Sequence, residues 1–112
     1  MSEPTVETAA AQVLAGITLA EGGKTDCADC GRTVREGDRV GVYARRAPDE
    51  SRFDATRLVC RSCRRDRIDH PTPGVRELTA FGRLGVTTDD ASRDARLTLR
   101  DPEVVAEAGV GE

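Results

Sequence analysis

Cysteine occurs four times in this chain, at Cys27, Cys30, Cys60 and Cys63, as two Cys-x2-Cys pairs separated by 29 residues. A two-residue spacer lets both sulfurs of a pair point into one cavity, and two such pairs supply four thiolates around one ion at Zn–S distances of about 2.3 Å. The competing readings are two disulfides or a reactive dithiol. Glu3 and Glu7 stand where a secretory leader needs positive charge, and no stretch of the chain is apolar enough to span a membrane. This points to a cytoplasmic protein without membrane contact, where reducing conditions assign close cysteine pairs to metal. A redox dithiol calls for one reactive pair in a βαβ frame, and none is visible. Four protein thiolates leave no coordination position open for water or substrate, so the expected cofactor is one structural Zn²⁺ and the chain is not expected to be an enzyme. Gly31, directly after Cys30, supports this, because a knuckle turn needs a residue tolerant of positive φ to aim backbone N–H groups at the sulfurs.

The composition explains why such a chain benefits from an internal staple. Apolar residues make up 38% of its 112 positions and charged residues 33%, and the aromatics are Tyr43, Phe53 and Phe81 alone, so the core must be thin. A structural zinc supplies folding free energy on the order of 10 kcal/mol that a thin apolar core cannot. The length suits one domain, divided into an N-terminal arm (1–22), the four-cysteine module (23–70) and a C-terminal hairpin extension packed on it (71–112).

Apolar residues from Val6 to Ile17 recur three and four apart and predict a short amphipathic helix, with Ile17 to Ala20 readable instead as the start of a strand. Arg35-Glu36-Gly37-Asp38 has turn composition, and Val40, Val42 and Ala44 alternate with Gly41, Tyr43 and Arg45 as one arm of a hairpin that returns through Leu58 and Val59. Arg61 to Asp69 holds good helix formers without Gly or Pro, which predicts a short helix from the second pair. After the connector His70-Pro71-Thr72-Pro73-Gly74, Leu78, Ala80, Leu84 and Val86 share one face of a period-2 pattern through Arg76 to Thr88. A turn at Thr88 to Ser92 leads to a returning arm at Leu97 and Leu99, ended by Asp101-Pro102 and a short Val104-Val105 segment. The expected class is α+β: a small zinc-bound domain of two β-hairpins and short helices. The order knuckle, hairpin, pair at a helix start favours a treble clef, with a zinc ribbon as the near alternative.

Net charge is −3, but its distribution is uneven. Residues 1–26 carry one Lys against four acids, 27–70 eleven Arg against eight acids, and 71–112 five Arg against eight acids, so only the cysteine-bearing middle is basic. Arg61, Arg64, Arg65 and Arg67 crowd the second pair and, with Arg45 and Arg46, form a candidate phosphate-contacting patch for nucleic acid. The plainer reading is a solvated face, since Asp66 and Asp69 are interleaved and aromatic platforms are scarce. His70, the single histidine, reads as a loop or helix-end residue, and Asp89-Asp90 as turn chemistry. Phe81, Leu84 and Val86 read as core, or as an exposed strand through which a second copy pairs. No small-molecule substrate is evident. A protein partner, a homodimer or nucleic acid are the partners to weigh, and thiol redox or metal handling is a third function class.

Cys27-Ala-Asp-Cys-Gly-Arg, Arg35-Glu-Gly-Asp, Tyr43-Ala, Cys60-Arg-Ser-Cys, His70-Pro-Thr, Phe81-Gly-Arg-Leu-Gly-Val and Leu99-Arg-Asp-Pro-Glu-Val resemble a family of small, uncharacterised haloarchaeal zinc-finger proteins. The similarity runs from about residue 17 to 106. It implies a cytoplasmic, salt-adapted protein whose activity the family does not supply.

Overall fold

The computed structural model describes residues 14–50 and 52–109. They form seven strands: β1 (Thr18–Glu21), β2 (Lys24–Asp26), β3 (Thr33–Arg35), β4 (Arg39–Arg46), β5 (Asp54–Cys60), β6 (Arg76–Thr88) and β7 (Ala95–Ala108). Five make one antiparallel sheet in the order β1-β7-β6-β4-β5, and β2 and β3 pair as a separate small ribbon. The fold is thus nearly all β, which corrects the α+β expectation. The helix expected over Val6–Ile17 falls mostly outside the described residues, of which Leu14 alone is helical.

The helix expected after Cys63 is absent, and with it the treble-clef arrangement. Cys60 to Cys63 is a tight turn closed by Cys63 N–H donating to Cys60 O at 3.0 Å, and residues 64–75 then run irregularly. Helix propensity is a weak prior that tertiary contacts override. Here the contacts are on the sheet: Arg64 lies over the Phe81 ring at 4.3 Å, and Thr72 N–H donates to Glu77 Oε1 at 3.1 Å.

Alternation decides which face is core. Val40, Val42 and Ala44 of β4 are buried against Leu78, Ala80 and Leu84 of β6 and Leu97 and Leu99 of β7. Leu14, ahead of β1, and Val34 of β3 belong to the same core cluster. Residues in register across an antiparallel pair share a face, so Phe81, opposite Gly41, belongs to the outer face with Tyr43 and Thr79. It is half-buried under Arg64 and is no part of the core expected for it, whereas Leu84 is fully inside.

Strand β7 continues past Asp101-Pro102, where the sequence placed its end. The register with β6 shifts between Phe81 and Arg83, and Asp101 sits in the left-handed region at φ 51. An extra residue in a bulge needs no ladder partner, so a proline without an N–H is tolerated there. Gly82 stands on the opposite strand, where a side chain would meet Leu99 and the Arg100 carbonyl.

Candidate metal centre

Each cysteine pair is placed by a turn at the end of a strand. Cys27 follows β2, and Gly31 at φ 78 reverses the chain so that Cys27 N–H donates to Arg32 O at 2.7 Å and Gly31 N–H to Cys27 O at 3.0 Å. β3 then pairs back on β2. Cys60 is the last residue of β5, the outermost strand of the large sheet, and the turn after it carries Cys63. Two bonds hold the turns together: Ala28 N–H to Leu58 O at 2.9 Å and Cys60 N–H to Cys27 Sγ at 3.2 Å.

The four sulfurs converge. All lie within 4.8 Å of one another, and Cys30 Sγ is 3.8 Å from Cys60 Sγ. A tetrahedron with metal–sulfur bonds of about 2.3 Å has S–S edges of about 3.8 Å, whereas a disulfide is about 2.0 Å long. None of the four is bonded to another. Cys27 and Cys60 are 3% and 2% exposed, Cys63 is half-buried and Cys30 faces solvent. One side of the cluster is therefore in the core and the other at the surface.

Electrostatics in the cluster favour a cation. Burial pushes the Cys27 thiol up, but hydrogen bonds from the Cys60 and Cys30 backbone and from neighbouring thiols outweigh it and hold Cys27 at about 6. Cys60 shifts the same way: burial opposes ionisation, and hydrogen bonds from the Ser62 backbone and from Cys63 overcome it. Cys63 is pushed up to about 12, first by its hydrogen bond to Cys60 and then by burial. Cys27 and Cys60 are thus shifted toward the thiolate, and Cys63, hydrogen-bonded to Cys60 and buried beside it, toward the thiol. A divalent cation compensates the charge and removes the conflict.

The six arginines singled out from sequence are not one patch. Arg61, Arg64, Arg65 and Arg67 line a single depression with Phe81. Arg65 and Arg67 both pair with Asp69, at 3.7 and 3.2 Å. Arg45 and Arg46 lie at the far end of β4, about 20 Å of strand from Arg39. Arg46 is in register with Arg76 on the inner face, and both lie near the Phe53 ring, at 5.3 and 5.6 Å. His70 is exposed on the connector, and with Arg65, Arg67, Ile68 and Asp69 it lines an open cavity of about 510 Å³ against Gly41, Tyr43 and Thr79.

Two features escaped the sequence reading. Tyr43 donates its hydroxyl proton to Glu77, a carboxylate only 1% exposed. Arg39, Arg83 and Arg100 stand in register across β4, β6 and β7. The only hint of either in the chain is that these residues occupy the polar phase of alternating strands.

The described residues define an all-β domain in which a four-cysteine cluster, spaced to bind one metal ion, ties a small ribbon to the edge of a five-stranded sheet. Among them no helix is long and apolar enough to cross a membrane. Residues 4–109 match the family model described as "Domain of unknown function (DUF8112)", and the chain belongs to that family. No curated protein and no solved structure matches it.

Proposed function

We infer that this chain is a non-catalytic binding module whose fold is completed by one structural Zn²⁺ held by Cys27, Cys30, Cys60 and Cys63. The observation that carries the reading is the 3.8 Å separation of Cys30 and Cys60 sulfurs, which is the edge a Zn–S₄ tetrahedron requires. Zinc fits better than a hard cation because every donor is a soft thiolate. Backbone N–H groups of Asp29 and Cys60 aimed at Cys27 Sγ at 3.4 and 3.2 Å are the outer-shell bonds that orient a ligand and temper its charge. The burial of Cys27 and Cys60 keeps two of the four thiols from exchange, which needs an accessible thiolate, and leaves Cys30 alone facing solvent.

The ion would supply no chemistry on a substrate, since the protein fills all four positions. Its work is to fasten the turn after β2 to the end of β5, two elements otherwise joined by the bonds from Ala28 N–H to Leu58 O and from Cys60 N–H to Cys27 Sγ. The test is elemental analysis of protein purified without added metal, together with Co²⁺ substitution. One zinc per chain, and cobalt spectra with the charge-transfer bands of tetrahedral thiolate, are expected. Absence of metal, or octahedral cobalt, would reject the reading.

A further inference from the structure

On the outer face, β4, β6 and β7 bring Arg39, Arg83 and Arg100 side by side, with Arg39 opposite Arg83 and Arg83 opposite Arg100. Neighbouring strands are about 4.8 Å apart, so three guanidinium stems fall within about 10 Å. Like charges directly opposite one another destabilise a sheet. Among the described residues, none of the three lies within 4.0 Å of a carboxylate oxygen. Arg64 joins them beside Arg39 and Arg83, at the edge of a shallow depression floored by Phe81 and Gly82.

Two glycines hold this array in place. A side chain at Gly41 would lie 2.5 Å from Arg64 Cβ, and one at Gly85 would lie 1.9 Å from Arg100 Nε. Glycine weakens a strand interior and is kept where another group approaches closely. Here the groups that approach are arginines, so Arg64 and Arg100 lie against the sheet and lose little freedom when they bind. Arg64 is centred over the Phe81 ring at 4.3 Å and stays partly exposed.

We propose that this face binds single-stranded nucleic acid, with Arg39, Arg83 and Arg100 on successive phosphates and a base stacked on Arg64. This rests on the reading of the chain as a binding module. Guanidinium planes stack on bases, whereas a carboxylate meets a guanidinium edge-on through its N–H groups. Asp101 and Glu103 rim the same depression; they repel any anion there, phosphate included, and leave that rim to base amino groups, from which they accept hydrogen bonds. Duplex DNA is read by a helix or a β-ribbon in the major groove. The ribbon available, the β6–β7 hairpin, carries Asp89, Asp90 and Asp94 against Arg93 at its tip and repels the backbone.

The test is fluorescence anisotropy of a labelled 12-nucleotide oligouridylate with zinc-loaded, full-length protein, zinc content and circular dichroism being measured on the same samples. Three phosphate contacts give a log–log salt slope of about −2.1, hence about 18-fold weaker binding at 200 mM than at 50 mM KCl. Arg83→Ala and Arg64→Ala each weaken binding at least fivefold, and Arg83→Ala flattens the slope by about 0.7. Gly85→Ala, which keeps every charge but displaces Arg100, weakens binding as Arg100→Ala does. Arg45→Ala binds as the parent. The proposal is overturned if folded protein with one zinc shows no saturable binding, or if the Arg64 and Arg83 variants bind as the parent. It is equally overturned if a 12-residue polyglutamate or a duplex competes as well as the oligouridylate. Folded protein without metal would instead overturn the zinc reading, so the two failures are separable.

Discussion

Cys30→Ser separates a metal centre from four cysteines that merely pack together. Cys30 faces solvent, and serine differs from cysteine there by one exposed atom. Without metal the substitution leaves no cavity and falls within about 0.5 kcal/mol, the range of exposed substitutions. As a zinc ligand, Cys30 contributes one of four bonds to an ion worth on the order of 10 kcal/mol of folding. A domain of this size has about 5–15 kcal/mol of stability in all, so losing several kcal/mol lowers the urea midpoint sharply while the sheet still holds without urea. Leu84→Ala calibrates the scale: Leu84 is 2% exposed, and its truncation costs about 2–5 kcal/mol with metal retained. Urea titrations followed by circular dichroism, with and without a chelator, read both variants. The expected order is that the parent with chelator resembles Cys30→Ser without it, and that chelator adds nothing further to Cys30→Ser. A Cys30→Ser midpoint equal to the parent's, in protein whose midpoint is indifferent to chelator, would refute the reasoning.

Tyr43 is the chain's single tyrosine and there is no tryptophan, so absorbance near 295 nm reports its ionisation alone. Burial, then the hydrogen bond to Glu77 and its charge, push it up to about 12, so at pH 11 about one-tenth is phenolate when folded and about nine-tenths when unfolded. Between pH 10 and 12 unfolded Tyr43 therefore binds fewer protons than folded Tyr43, and its contribution to stability, flat below pH 10, falls as pH rises through that window; Glu77→Gln should move the titration midpoint back toward 10. Gly82→Ala would place a methyl 2.7 Å from Leu99 Cδ1 and 2.8 Å from the Arg100 carbonyl, and should cost about 1–3 kcal/mol in thermal or urea unfolding. Asp101→Val puts a β-branched residue at φ 51 and should cost about 1–2 kcal/mol, whereas Asp101→Gly should stay within about 0.5 kcal/mol of the parent.

What could be read from the chain was whatever local spacing determines. The period-2 pattern over Arg76 to Thr88 has the same bounds as β6, since the apolar positions of a strand fall on alternate residues, although Glu77 to Ala80 are buried on both faces. The cysteine spacing located the cluster for the same reason: a two-residue spacer and a tolerant Gly31 specify a turn without outside help. The segment after Cys63 was misread because its propensity is real but small, and Phe81, Gly41 and the Glu77 carboxylate together offer more than one turn of helix does. The arginine row was invisible for a different reason. Arg39, Arg83 and Arg100 are far apart in sequence, and only cross-strand register, which a bulge beside Asp101 shifts by one, makes them neighbours.

Register also links the metal centre to the outer face. Cys63 and Arg64 are adjacent in the chain, Arg64 Cβ fills the space over Gly41, and Gly41 is in register with Val59, one residue before Cys60. An ion that fixes Cys60 and Cys63 thereby fixes both the backbone that carries Arg64 and the strand on which it rests. Removing such an ion should free the turn at Cys60–Cys63, and with it Arg64's place over Phe81, before the β6–β7 hairpin is disturbed. Arg39, Arg83 and Arg100, set by strand pairing, stay in line as long as the sheet persists. Partial metal loss should therefore abolish base stacking on Arg64 while leaving the salt-dependent phosphate contacts of the row. A chelator titration in which the affinity for oligouridylate falls while its salt slope holds near that of three contacts, about −2.1, is the signature of that order. A slope that collapses together with affinity would mean that the ion supports the whole sheet and not the turn alone.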